Sequence, residues 1–595
     1  MLVASVAAVY ANSVRGVFVY DDLPAIVENP TLRPPWSAQA LLFYPGDESG
    51  TLGGRPVVNL TLALNYAVGG LNPAGYHAVN LVIHALAALT LLGLVRRTLA
   101  LTSFGAKWTD RERAATGFIV ALLWAVHPLN TEAVTYVVQR TESLMGLLYL
   151  ASLYSFVRSL NADAVRWRIA SFVFCLLGMA TKEVMVSAPL VIVAYDRLFA
   201  AESWHELWRR RGRFHLALAS TWIVLALLVI GTHGRGGTAG ASTGANVWPY
   251  LLTQATAIPH YLRLALWPGP LVFDYGTALQ HDGMAVAASA ALVLALLAWS
   301  VWTLCRRQAA GFIGLIFFAV LAPSSSVVPI ATEPIAEHRM YLPLAALMAL
   351  GVIAAAAWTR HRSRAAGLVA GVLAGLVAAT LGATTILRNR DYSSAIGLWS
   401  DTSVKAPANP RARNNLGQAR LAAGDPAGAR SDFLAATQID PNYLPAEYNL
   451  GAALLDAGQP AEAVAPLERA QGVVRHRAEV RRYLGEAHEQ LGHQAEAEKC
   501  YRESLALEAS PEAAFGLGNT LAAQGRYADA VAPYRTARDL KPAAIDIRNN
   551  LANALLFAGR TDDAIAEFRA ALSIDPHNDA LQKNLALALE VKAKR

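Results

Sequence analysis

The sequence has few cysteines and few charged residues. Only Cys175, Cys305 and Cys500 occur among 595 residues, and no two of them have the spacing of a disulfide framework or a zinc site. Charged residues make up 16% of the chain, whereas hydrophobic residues make up 54%. A chain of this length and hydrophobicity is neither a soluble protein nor a single domain.

The charged residues are unevenly distributed, and this divides the chain into two parts. Residues 1–389 hold nearly all the long apolar runs, while residues 390–595 are Ala-rich, charged and periodic. The net charge of +7 lies largely in short basic clusters between apolar runs, as in the cytoplasmic loops of membrane proteins. Membrane topology therefore explains the charge, and no nucleic-acid partner is expected.

The first part is predicted to be a membrane-embedded bundle of helices. A crossing helix needs about 20 apolar residues. Apolar runs that qualify, or nearly do, lie at 76–96, 116–136, 140–160, 214–232, 284–304, 311–330, 341–358 and 365–387. Residues 168–200, interrupted by Lys182 and Glu183, predict two short helices meeting at an outer elbow.

The first apolar segment, residues 1–11, is shorter than a full span. This length fits three alternatives: a short membrane anchor, a cleaved signal peptide, or a sequence whose given start misses some residues. Eleven crossings result if residues 250–268 are re-entrant or interfacial. Basic clusters then lie inside, and the loop 15–75 shares the outer side with the C-terminal part.

The second part has the period of tetratricopeptide repeats. Glycines recur at Gly424, Gly458, Gly492, Gly525 and Gly559, at intervals of 34, 34, 33 and 34 residues. Small residues recur where paired helices approach closely, and large ones recur four positions after a repeated alanine. The pattern predicts an α-solenoid with a half repeat at 391–407, repeats at about 410–443, 444–477, 478–510, 511–544 and 545–578, and a capping helix at 579–595. The predicted fold is therefore all-α.

Asn415, Asn449 and Asn550 share one position of this repeat. A ladder of amides there can hydrogen-bond the backbone of an extended protein acceptor without reading its side chains. The alternative is that asparagine simply suits that helix position, and both interpretations stay open.

Four polar groups fall at predicted outer ends of spans, where ionisable residues tend to mark function. They are Asp21 with Asp22; His127 and Glu132 with Arg140; Lys182 with Glu183; and His338 with Arg339. Adjacent carboxylates can act as a base or hold a divalent cation, and arginine can bind a phosphate. Each group also has a structural interpretation: a loop carboxylate pair, helix caps, a self-neutralising ion pair or a headgroup anchor.

Taken in order, the motifs resemble a known family. Tyr20-Asp21-Asp22, "YHAVNLVIH" from Tyr76, "HPLNTEAV" from His127, Lys182-Glu183 and His338-Arg339-Met340-Tyr341 look like the transmembrane and tetratricopeptide-repeat-containing O-mannosyltransferases. The resemblance covers essentially the whole chain. It implies a GT-C membrane glycosyltransferase, whose active site faces the lumen or periplasm and whose donor is a polyprenyl-phosphate hexose.

The resemblance also implies roles for individual residues. Asp21 or Asp22 would be the catalytic base, with an optional Mg²⁺ or Mn²⁺ beside them. Arg339, Lys182 and His338 would bind the donor phosphate. Glu132, Arg140, His127 and Glu183 would shape the sugar pocket. The sequence departs from the family at Gln139–Glu142, where relatives often show Gly-Arg-Ala-Asp, so the sugar stays open.

The expected function is inverting transfer of a hexose, such as mannose, to Ser or Thr of a protein held by the repeats. The composition suggests a bacterial inner-membrane protein with periplasmic repeats. Two alternatives stand beside it. One is a membrane-anchored scaffold for envelope proteins, and the other is the same fold acting on a glycan or lipid acceptor.

Overall fold

The computed structural model describes residues 1–42, 51–161, 164–232, 247–277, 283–325, 330, 332–360, 362, 364–473 and 476–594. They form two compact units, Met1–Pro407 and Ala408–Arg595. Helices make up both units, and the described residues contain no extended β-strand. The prediction of an all-α fold is confirmed.

The first unit contains the helices of the predicted membrane part. Those described are α1 (Leu2–Tyr10), α2 (Ala38–Leu42), α3 (Pro56–Gly69), α4 (Pro73–Leu101), α5 (Asp110–Ala125), α6 (Thr131–Thr135), α7 (Arg140–Ser159), α8 (Ala164–Met179), α9 (Ala188–Phe199), α10 (Trp204–Gly231), α11 (Val247–Leu266), α12 (Gly283–Cys305), α13 (Ala309–Leu321), α14 (Tyr341–Arg360), α15 (Arg364–Asp391) and α16 (Ala395–Lys405). Short 3₁₀ helices include Pro128–Asn130, Val137–Gln139, Glu183–Ser187 and Glu337–Met340.

Several of these helices suit a membrane. Among the described residues, five are long and apolar enough to cross one: Pro73–Leu101, Trp204–Gly231, Gly283–Cys305, Glu337–Arg360 and Ala365–Asp391. Asp110–Ala125 and Pro128–Thr135 make a sixth if this pair, bent by 57°, is one span. The chain is an integral membrane protein, and the number of eleven crossings stays a prediction. Parts of the expected span 311–330 and of the loop 15–75 lie outside the described residues.

Helix α7 is the centre of the first unit. Nearly all of its residues are buried, and α4 and α8 pack against it. Its first turn carries Arg140 and Glu142, which are buried as well. Because burying unpaired charge is costly, both must be matched by partners on other elements. Those partners lie on α3, α4 and the segment after α8, and they help to build the site described below.

The predicted elbow lies where α8 ends. Helix α8 stops at Met179, Lys182 is extended (φ −154°, ψ 148°), and a 3₁₀ turn from Glu183 leads into α9. Two short helices meeting at Lys182-Glu183 were predicted, and this is what the structure shows.

The second unit consists of helix pairs. They are α17 (Pro410–Ala422) with α18 (Pro426–Ile439), α19 (Leu444–Asp456) with α20 (Pro460–Arg469), α21 (Arg477–Gln490) with α22 (Gln494–Leu507), α23 (Pro511–Ala523) with α24 (Tyr527–Leu540), and α25 (Ile545–Phe557) with α26 (Thr561–Ile574), followed by α27 (Asp579–Ala593).

Small residues allow the two helices of a pair to touch. A Cβ built on Gly451 would lie 2.5 Å from Leu467, and one built on Gly518 would lie 2.5 Å from the Tyr534 ring. Real Cβ atoms do not approach this closely, so a larger residue would force the pair apart. The turn glycines have φ between 70° and 81°, a conformation that costs other residues energy. The spacing found in the sequence therefore reflects local packing.

Candidate active site

Asp21 and Asp22 lie in a tight turn that follows α1. The Asp22 N–H donates to the Val19 carbonyl at 2.9 Å, and the Leu23 N–H donates to the Tyr20 carbonyl at 3.0 Å. Tyr20 has φ 49°, which is unusual for a residue with a side chain. Such strained backbone is concentrated at functional sites.

The two aspartates have different environments. Asp22 is fully buried, and its two oxygens accept the backbone N–H groups of Val19 at 3.1 Å and Val138 at 2.7 Å. Burial raises the pKa of Asp22 to about 8, and these hydrogen bonds oppose that shift. Asp21 is only partly buried, and one of its oxygens accepts the Thr51 hydroxyl at 3.4 Å. Of the two, Asp21 is therefore the more accessible.

Aromatic rings hold this turn from one side. The ring of Tyr20 lies edge-on to Trp399 of α16, with centroids 5.3 Å apart. Phe273 contacts both Trp399, at 5.2 Å, and Tyr136, also at 5.2 Å. The Tyr136 hydroxyl accepts the Asp21 N–H at 2.9 Å. Neither Phe273 nor Tyr136 was assigned a role from the sequence.

A second polar cluster begins one helical turn away. The Tyr136 N–H donates to the Glu132 carbonyl at 3.3 Å, so α6 connects the two. Glu132 accepts the backbone N–H of His338 at 2.9 Å and contacts His338 Nδ1 at 2.7 Å. His338 Nε2 lies 4.0 Å from the carboxylate of Glu333. The structure thus brings together two predicted residues, Glu132 and His338, with a third that no sequence motif singled out.

Arg339 shapes the turn that carries Glu333. Its guanidinium donates to the carbonyl of Pro334 at 2.9 Å and to the carbonyl of Glu333. The side chain is almost completely buried. Arg339 therefore fixes the backbone at Glu333 and Pro334, while its positive charge stays beside the cluster.

Lys182 and Glu183 are not paired with each other. Lys182 Nζ lies 2.5 Å from Glu142 at the start of α7, and both side chains are buried. Glu183 pairs with Arg55 at 3.4 Å, and 28% of its side chain is exposed. Lys182 thus joins the elbow to α7, and Glu183 joins it to the outer loop. The interpretation of Lys182 and Glu183 as a self-neutralising ion pair is therefore wrong.

Arg140 and His127 contact protein groups. Arg140 donates to Asn80 Oδ1 at 2.7 Å, the Thr61 carbonyl at 3.2 Å and the Tyr76 carbonyl at 3.0 Å. His127 Nδ1 accepts the Leu129 N–H at 3.2 Å, and its Nε2 lies 3.2 Å from the Ala265 carbonyl. These bonds join α7 to α3 and α4, and α11 to the bend after α5. Both residues therefore hold elements of the first unit together.

Other buried polar residues surround the cluster. Glu337 accepts the Val272 N–H at 2.6 Å and the Tyr275 hydroxyl at 2.8 Å. Arg388, near the end of α15, pairs with Asp391 and Asp401, each at 2.8 Å. Arg388 went unnoticed in the sequence because an arginine at the end of an apolar run usually marks only the membrane boundary.

The cation expected beside Asp21 and Asp22 does not fit the arrangement there. Both Asp22 oxygens already accept backbone N–H groups, and the side chain has no exposed surface. A shared ion would have to reach this closed position beside those bonds. The Glu132, Glu333 and His338 ligand atoms, by contrast, all lie within 4.8 Å of one another.

An apolar cavity of about 730 Å³ lies within the first unit. Residues of α4, α7, α9, α13 and α14 line it, with Leu342 near one end and Thr102 and Gln308 near the other. Its α14 lining runs from Leu342 to Ala357, which is about 22 Å at 1.5 Å per residue. Since Leu342 follows the 3₁₀ turn of His338 and Arg339, the cavity begins beside the polar cluster.

In the second unit, amides form hydrogen bonds between neighbouring repeats. Asn449 donates to Asn414 at 2.7 Å, and Asn550 donates to Asn519 at 3.2 Å. Asn584 donates to Asn549 at 2.9 Å, so the pattern recurs near the end of the array. The Asn415 Nδ2 is buried and has no partner among the described residues. Peptide binding by these amides stays a prediction.

Family comparisons agree with the repeat period. Models described as tetratricopeptide repeats match residues 382–443, 448–509, 491–545 and 521–588. The chain therefore carries tetratricopeptide repeats, as the glycine spacing predicted.

Several curated proteins that are similar to part of the chain are named O-mannosyl-transferases. The chain is 31% identical over 250 residues to "Protein O-mannosyl-transferase TMTC3" of Mus musculus, covering 39% of this chain and 26% of that protein. It is 34% identical over 204 residues to TMTC1 of Mus musculus, covering 31% and 20%. It is 29% identical over 334 residues to Tmtc2 of Drosophila melanogaster, covering 51% and 33%. The matched part is thus at most a third of the length of each of these three relatives.

Solved structures of TPR proteins match about a third of the chain. One is "YrrB: a TPR protein with an unusual peptide-binding site", with 18% identity and a TM-score of 0.29, covering 33% of this chain and 100% of that chain. Another is TTC0263, a thermophilic TPR protein of Thermus thermophilus, with 23% identity and a TM-score of 0.25, covering 30% and 98%.

Proposed function

We propose that the protein transfers a hexose, with mannose as first candidate, from a polyprenyl-phosphate donor to Ser or Thr of a protein acceptor. The similarity to proteins named O-mannosyl-transferases carries the proposal. The partly exposed Asp21, held in a strained turn near a buried polar cluster, supports it.

Asp21 is the proposed base. Its carboxylate takes the proton of the acceptor hydroxyl while the hydroxyl oxygen attacks the anomeric carbon. The bond from that carbon to the phosphate oxygen breaks on the opposite face, so the configuration inverts. The phosphate leaves with the bonding electrons as a stable anion and needs no strong acid. Asp22 holds the turn that aims Asp21.

The donor is proposed to bind where the polar cluster adjoins the apolar cavity. Lys182, Arg339 and His338 lie at or beside the polar cluster, and fixed positive charge stabilises a departing phosphate. The cavity lined from Leu342 to Ala357 suits an isoprenoid chain, because it is apolar and about as long as most of a bilayer core. Glu132 and Glu183 are the proposed sugar-pocket residues, with Arg140 and His127 behind them.

The repeats are proposed to hold the acceptor. Asn415, Asn449 and Asn550 are the amides proposed to hydrogen-bond an extended backbone, and those of Asn449 and Asn550 are only partly buried. The repeats and the loop of Asp21 are proposed to share the periplasmic side of a bacterial inner membrane.

The test uses purified full-length protein with polyprenyl-phosphate mannose, glucose or galactose and a mixture of periplasmic proteins. Mass spectrometry of the products shows which hexose is added. Asp21→Asn is expected to abolish transfer, whereas Glu28→Gln, which changes an exposed carboxylate of the same loop, should leave it intact. Unchanged transfer by Asp21→Asn would refute the assignment of the base. If no donor is used while envelope proteins still bind, the scaffold alternative is favoured.

A further inference from the structure

The cluster of Glu132, Glu333 and His338 has the chemistry of a metal site. It combines two carboxylates and one imidazole, whose ligand atoms lie within 4.8 Å of one another. The three residues come from α6, from the segment before Glu337 and from the 3₁₀ turn that follows it. They therefore meet only in the folded unit.

His338 is held in the orientation that a metal ligand needs. Its Nδ1 lies 2.7 Å from Glu132 Oε1, and Glu132 Oε2 accepts the His338 backbone N–H at 2.9 Å. A carboxylate beside Nδ1 keeps the proton on that nitrogen. The lone pair is then on Nε2, as in histidines that bind metal with a carboxylate behind them.

The Nε2 side of the ring lacks a hydrogen bond. Although His338 is about 96% buried, Nε2 has no hydrogen-bond partner among the described residues, and the nearest carboxylate oxygen, from Glu333, lies 4.0 Å away. That distance is too long for a hydrogen bond. It matches two ligands of one ion, because atoms about 2.1 Å from a metal stand about 3 to 4.2 Å apart.

The neighbouring cationic side chains already have protein partners. Lys182 is neutralised by Glu142 at 2.5 Å, and Arg388 by Asp391 and Asp401 at 2.8 Å. Arg339 donates to the carbonyls of Glu333 and Pro334 and so positions Glu333. The charge of Arg339 thus stays beside the carboxylates of Glu132 and Glu333, and a divalent cation would add the further positive charge that two neighbouring buried carboxylates need.

We infer that Glu333 and His338 Nε2 bind a divalent cation, with Glu132 holding the imidazole and adding negative charge. A mixed imidazole and carboxylate set suits Mn²⁺ or Zn²⁺ better than Mg²⁺. Glu333 is 31% exposed at its side chain, so the ion has access from outside and positions left for oxygen ligands. The inference stands without the proposed transfer reaction.

The test is Mn²⁺ binding by metal-stripped full-length protein in detergent, followed by electron paramagnetic resonance. Wild type is expected to bind one Mn²⁺ and to show ¹⁴N coupling from an imidazole. Glu333→Gln, which removes no hydrogen bond from the described part of the chain, should weaken binding at least about tenfold. Asp21→Asn should bind Mn²⁺ like wild type.

Three results would overturn the inference: no Mn²⁺ bound by wild type, binding without ¹⁴N coupling, or equal binding by Glu333→Gln. His338→Gln gives a second variant if Glu333→Gln does not fold. Since binding is read without a donor sugar, failure of the transfer assay and failure of the metal site are distinguishable.

Discussion

The carboxylate of Asp22 accepts the backbone N–H of Val138 at 2.7 Å, across 116 residues of sequence. This bond fastens the turn after α1 to the segment between α6 and α7. Because Tyr136 begins that segment and Glu132 lies in α6 just before it, this bond sets the position of Asp21 relative to the polar cluster. Asp22 therefore fixes the turn, and the partly exposed Asp21 remains the proposed catalytic base.

Replacing each aspartate by asparagine should separate these roles. Asp22→Asn turns one acceptor oxygen into a donor that faces a backbone N–H, so we expect a loss of about 1 to 3 kcal/mol in stability. Asp21→Asn should leave the unfolding temperature unchanged and lower transfer at least about 100-fold. Thermal unfolding in detergent measures the first effect. Equal unfolding temperatures for Asp22→Asn and wild type would contradict the fastening role.

The buried Lys182–Glu142 pair should be costly to break. Lys182→Met leaves the Glu142 carboxylate buried and unpaired, with an expected loss of about 3 to 5 kcal/mol. The double variant Lys182→Met/Glu142→Leu should recover much of this loss, because no buried charge remains. Arg96→Gln, in an exposed pair with Asp110, is the control and should change stability far less. If the double variant is no more stable than the single one, the pairing is wrong.

Close packing in the repeats predicts that small additions are harmful. Gly518→Ala places a methyl group 2.5 Å from the Tyr534 ring and should cost about 1 to 3 kcal/mol. Combining it with Tyr534→Leu should cost less than the sum of the two changes, since the ring no longer blocks the methyl group. Urea unfolding of the four proteins gives the coupling. Strict additivity would show that the two residues do not touch.

The contact of Trp399 with Tyr20 predicts where the chain tolerates truncation. A protein ending at Pro407 keeps α16 and therefore the aromatic support of the Asp21 turn. A protein ending at Arg390 loses it. We expect the longer version to glycosylate a short peptide or a lipid acceptor and the shorter one to be inactive. Measured rates that are equal for both would remove any role for α16.

The repeat part could be predicted from the sequence, because every helix pair has the same packing and turn requirements. Gly518 must be small to meet Tyr534, and Gly525 must turn the chain at φ 75°, so both positions recur. The order of motifs likewise pointed to Asp21 and His338. Such signals arise from short segments that obey the same physics wherever they occur.

Contacts between residues that are far apart in the sequence could not be predicted from it. Lys182 and Glu183 are adjacent, yet extended backbone directs neighbouring side chains to opposite sides, so each pairs elsewhere. Glu333 has no local pattern at all, and only the folded chain brings it towards His338. Likewise, nothing in two adjacent aspartates shows which one is buried.

Transfer to a docked protein requires the Asp21 loop and the repeats to lie in one compartment. In a variant without Cys175, Cys305 and Cys500, single cysteines at Glu28 and at Glu508, both exposed, can be labelled in intact cells with a membrane-impermeant maleimide. We expect both sites to be labelled from outside the inner membrane. Labelling of one site from outside and of the other only after lysis would contradict it.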